Sequence, residues 1–136
     1  MSLLHINPWS ILAAVAINQA IGFLWFSTRM LGVPWMREMG IEPQDIEVKV
    51  PLVPLLISVA SSAVLALGLT FVLRMGGHSG LRDGLLVGAV VSVGIMSMGA
   101  ATYYAFARRS LRLFLIEQGH SALAVVAMSA VLGLWP

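Results

Sequence analysis

Residues 51–73, PLVPLLISVASSAVLALGLTFVL, contain no charged side chain and are apolar at most positions. The hydrocarbon core of a bilayer takes about 20 apolar residues of α-helix to cross, so this run reads as a transmembrane span. Pro51 and Pro54 fall in its first turn, where a missing N–H costs little. Three further runs share its character, from about Pro8 to Thr28, from about Asp83 to Phe106 and from about Arg112 to Trp135. All four are far longer than the roughly 10 residues of a barrel strand, and they lack its period-2 alternation. The expected fold is therefore all-α: a polytopic membrane protein whose four transmembrane helices form one bundle, a single membrane domain over residues 1–136.

Composition points the same way. Hydrophobic residues make up 59% of the chain and charged residues 10%, against about 25% charged in ordinary globular domains. A water-soluble fold of this size has too little interior to hide so much apolar surface. The eight Lys and Arg residues mostly flank the apolar runs, where topology explains them, and nucleic acid is not an expected partner. The absence of cysteine excludes disulfides, thiolate metal sites and cysteine nucleophiles. Met1 to Asn7 has no Lys or Arg, and the following apolar run continues to Phe26. That pattern reads as a retained first helix rather than a signal peptide.

The connections set an orientation. Arg29, Arg37 and Lys49 lie in the first loop and Arg108, Arg109 and Arg112 in the third, against Arg74 and Arg82 in the second. The positive-inside bias places loops one and three in the cytoplasm and both termini outside the cell membrane. Glu38, Glu42, Asp45 and Glu47 dilute that excess in the first loop. Within it, Pro34-Trp35-Met36-Arg37-Glu38-Met39-Gly40 reads as a short helix opened by Pro and closed by Gly. Trp35, Met36 and Met39 are expected in the membrane interface, with Arg37 and Glu38 facing water.

Lipid gives helices no hydrophobic reason to associate, so small residues that permit close approach gain weight. Gly84, Gly88 and Ser92 recur at four-residue spacing in the third span. The stripe admits two readings, packing inside the bundle or contact with a second copy of the chain in a homo-oligomer.

Polar groups inside a membrane are expensive and therefore informative. Asn18, Gln19 and Trp25 in the first span, Tyr103 in the third, and Glu117 and His120 in the fourth come from three helices at similar depth. They are expected to line a cytoplasm-facing pocket that binds or passes a small solute. The bland alternative pairs Glu117 with Arg109 or Arg112 and gives His120 a hydrogen bond to a neighbouring helix. In that case the chain is a structural or accessory protein that assembles with a partner and transports nothing. Arg108, Arg109 and Arg112 are also candidates for anionic lipid head groups. His5 and His78 fall at the opposite end of the spans from His120, so no metal site is expected. No HExxH, GxSxG, P-loop or dinucleotide fingerprint appears, and neither a cofactor nor an enzymatic activity is expected.

Trp25-Phe26-Ser27, then Gly32, Trp35 and Met39-Gly40, and later Leu113-Phe114-Leu115-Ile116 with Gly119, resemble the domain of unknown function 1761 family. The resemblance covers essentially the whole chain. It implies a four-helix membrane protein and supplies no catalytic or binding residues. Phe26 stands where Tyr is more usual in that family, which removes a hydroxyl from this position.

Overall fold

The computed structural model describes residues 5–42 and 51–136; Asp45, Glu47 and Lys49 of the loop-charge count lie outside the described residues. Its helices are α1 (Pro8–Trp25), the short α2 (Gly32–Glu38), α3 (Leu52–Met75), α4 (Gly80–Phe106) and α5 (Leu111–Leu134). Four of them, α1, α3, α4 and α5, are long and apolar enough to cross a membrane. The chain is a multi-pass membrane protein.

Each end of these helices has a local cause. Asn7 caps α1 by accepting from Trp9 N, and Ser110 caps α5 by accepting from Leu113 N, both at 3.0 Å. α3 ends in a Schellman motif: Gly77 sits at φ +66°, and His78 N donates to Leu73 O at 2.8 Å. α2 closes the same way on Gly40, with Ile41 N donating to Met36 O at 2.8 Å. α1 stops at Trp25, short of the expected Thr28, because the chain folds back through a tight turn. Leu31 N donates to Trp25 O and Gly32 N to Ser27 O, both at 3.0 Å. A Cβ on Gly32 would lie 2.3 Å from Phe26 O, so only glycine fits there.

α5 is the centre of the bundle. α1 and α4 each find their principal partner in it, and α3 packs on α1, α5 and α4. Leu69 and Leu73 of α3 meet Val125, Met128 and Leu132 of α5 in a core completed by Ala14 and Ala66. The outward faces are apolar as well; Val64 is 70% exposed and Phe106 86%, which is stable only where the solvent is hydrocarbon. The buried polar residues are small hydroxyls instead, among them Ser62, Thr70, Ser92 and Ser129. Ser62 and Thr70 return their protons to the carbonyls of Ser58 and Ala66 within their own helix.

Gly84 and Gly88 face α5, and Ser92 is fully buried. A Cβ on Gly84 would come within 2.5 Å of Ser129 O, and one on Gly88 within 2.7 Å of the Val126 Cα. The two glycines of the stripe pack inside the bundle. The stripe does not continue at the same spacing. Val90–Ser97 is π-helical, and the next buried residue after Ser92 is Ser97, five positions on. The wider turn keeps α4 in register with α5 where an uninterrupted α-helix would drift away.

Candidate functional site

Five consecutive residues of α5, Ile116-Glu117-Gln118-Gly119-His120, receive side chains from three other helices. Each step along an α-helix turns about 100°, so a run of five points around the whole circumference. Trp25 of α1 donates its indole N–H to Ile116 O at 2.9 Å and lies flat enough that a Cβ on Gly119 would sit 3.0 Å from its ring. Trp35 of α2 donates to Glu117 Oε1 at 3.0 Å, and the Tyr104 hydroxyl of α4 donates to Glu117 Oε2. Ser97 Oγ donates to Gln118 Oε1 at 3.1 Å. Phe26 packs against His120 with ring centroids 5.0 Å apart and against Trp35 edge-on at 5.5 Å.

This cluster decides against one alternative and redirects side chains of the short helix, which forms where it is expected. Glu117 takes Tyr104 and Trp35 as partners, not Arg109 or Arg112. The short helix turns inward, since Met36 is 5% exposed and Trp35 is bonded to α5. Arg37, Met39 and Gly40 at its far side are exposed.

The six candidate pocket residues do not share one cavity. Asn18, Gln19 and His120 line a cleft of about 320 Å³ between the C-terminal half of α1 and the start of α3. Its apolar walls are Phe23, Phe26, Pro54 and Leu55, with Gly22 and Ser58 completing the interior side. Glu117 and Tyr103 line a separate hollow of about 160 Å³ with Tyr104, Arg109 and Leu113. Trp25 belongs to neither; it fills the joint between α1 and α5. Tyr103 is 64% exposed and packs edge-on against Tyr104, which carries the bond to Glu117. The π-helical turn sets which of the two tyrosines faces inward, and the adjacent pair gave no sign of it.

Asn18 and Gln19 spend most of their hydrogen bonds on α3. Asn18 Nδ2 and Gln19 Nε2 both donate to Ser62 Oγ, and Gln19 also exchanges bonds with Ser58 at 3.2 Å. Ser58 and Ser62 are small hydroxyls in an otherwise apolar run; their role as polar partners depends on which face of α3 meets α1. His120 is different. Its Nε2 is buried and has no hydrogen-bond partner among the described residues, and its ring contacts are Trp25 and Phe26. Gly22 packs over it: a Cβ there would rest in contact, 3.4 Å from Nε2.

Arg108, Arg109 and Arg112 sit in and just after the α4–α5 turn, all exposed. Arg109 Nη1 reaches Met39 Sδ at 4.0 Å, and Ser110 Oγ donates to Glu38. The turn is thereby tied to α2.

The residues that carry the family resemblance meet here: Trp25 on Gly119, Phe26 on Trp35, Gly32 under Ser27, Trp35 on Glu117. No curated protein and no solved structure matches the chain. The family model for the protein of unknown function DUF1761 matches residues 9–133, nearly the full length, and the chain belongs to that family.

Proposed function

We propose that the protein binds a small solute in the cleft between α1, α3 and α5, and that it is a binding protein and not an enzyme. The observation behind this reading is that Asn18, Gln19 and His120 converge on one cleft with apolar sides. A mostly apolar concavity with a few convergent polar groups is the usual form of a small-molecule site. The lysine and arginine excess in loops one and three supports an orientation in the cell membrane with this cleft in the cytoplasmic half and both termini outside.

The test is retention of a co-purified molecule. Protein reconstituted in phosphatidylcholine nanodiscs is extracted, and the extract is compared by mass spectrometry with that of Gly22→Leu, a substitution on the lining of the cleft. The wild type is expected to yield a small molecule that the variant lacks. Identical extracts overturn the reading.

A further inference from the structure

We infer that the seam between α3 and α4 is a lipid site, holding one acyl chain of a phospholipid from the leaflet on the side of the α3–α4 turn.

The seam follows from how α4 is placed. Gly84 and Gly88 let α4 close onto α5, and it packs only lightly on α3. A groove of about 450 Å³ is left between α3 and α4. Val87 and Val91 form its floor, half-buried against the core, with Val72 of α3 and Leu86 of α4 also on the lining. The lining runs along α4 from Asp83 to Ile95, about 15–18 Å at the rise of a helix. One leaflet has a similar depth, about 15 Å of hydrocarbon.

Shape decides the occupant. Spread over that length, the volume gives a cross-section of about 25–30 Å². An α-helix with its side chains is about 10–12 Å across, or roughly 80–110 Å², so a helix from a second copy does not enter. A single polymethylene chain does. Left empty, the floor would forfeit dispersion contacts on its open side, and the material that a bilayer offers there is hydrocarbon chain. In the groove such a chain meets protein on several sides, whereas against a flat helix face it meets protein on one. The polar end agrees with this occupant. His78 Nδ1 and Asp83 Oδ2 lie 3.4 Å apart at the mouth, and Ser79 N donates to the same oxygen at 3.1 Å. The other lining residues are apolar side chains and Gly76. The groove therefore has the polarity of a lipid, with a head-group end at the turn and an apolar depth.

Native mass spectrometry of protein released from phosphatidylcholine nanodiscs into lipid-free detergent tests this. The wild type is expected to keep one phosphatidylcholine per chain after the bulk lipid is removed. Val90 and Ile95 line the groove and are 62% and 64% exposed, so Val90→Trp and Ile95→Trp fill it without disturbing the core. Each is expected to lower the retained fraction at least about ten-fold, the equivalent of about two buried methylenes. Val64→Trp, at an exposed position of α3 away from the lining, is expected to keep the lipid. A wild type stripped of all lipid overturns the site. Undiminished retention by both groove variants, or an equal loss from Val64→Trp, overturns its place in the α3–α4 seam.

Discussion

Arg108 has φ +54°, a left-handed conformation that strains any residue with a Cβ. It stands where Gly40 and Gly77 stand in the other two Schellman ends, closing α4 with Arg109 N donating to Tyr104 O at 3.0 Å. Arg108→Gly is expected to stabilise the protein by about 1 kcal/mol, read as a raised melting temperature in detergent. Ser129 presents the opposite case. Its hydroxyl is fully buried in the α4–α5 contact without a hydrogen-bond partner among the described residues. Ser129→Ala is expected to leave stability unchanged or raise it by about 1 kcal/mol, and a loss on melting would show that the hydroxyl has a partner. The candidate residues themselves were legible from cost alone: Asn18, Gln19, Glu117 and His120 stand out in apolar runs. Their pairing was not, because a hydrogen bond across helices depends on the rotation of each helix about its axis, which a list of polar positions does not fix.

The elements show the same division. Run length and composition located the four spans to within a few residues, since hydrocarbon thickness and proline and glycine chemistry decide where a membrane helix starts and stops. Gly84 and Gly88 announce a close approach on their own. Gly84→Ala is expected to cost about 1–3 kcal/mol by overpacking against Ser129 O, measured by denaturant titration in mixed micelles. The π-helical turn left no comparable trace: Val90–Ser97 is an ordinary apolar sequence, and its extra width is imposed by the fit to α5. Removing Gly94, whose Cβ position faces open space, converts five-residue spacing to four and turns Met98–Phe106 by about 100° relative to Gly80–Ala89. The deletion is expected to part Tyr104 from Glu117 and to lower the melting temperature far more than Gly94→Ala, which fills only open space.

At the scale of the whole molecule, the chain supplies its own background for mapping topology, having no cysteine. Ser79→Cys lies in the turn between α3 and α4, and Arg109→Cys lies in the turn between α4 and α5. A membrane-impermeant maleimide applied to intact cells is expected to label the first and to reach the second only after permeabilisation. The reverse pattern would put the cleft in the outer half. The four-helix bundle was legible throughout, because it follows from how much apolar surface the chain carries. That the candidate pocket would divide into two was not, because Phe26, Trp25 and Trp35 fill the space between its halves only once α2 folds inward.

The centre of the bundle is also the last of its four spans to be made. α1 and α4 owe most of their packing to α5, and the bonds from Trp25, Trp35, Ser97 and Tyr104 all end on residues 116–118. During synthesis three hydrophobic segments therefore enter the membrane ahead of the helix that joins them. Until it follows, Glu117's partners wait without an acceptor and the cleft has no back wall. Assembly thus waits on one helix: the cleft is complete only once residues 111–134 have joined the three spans made before them.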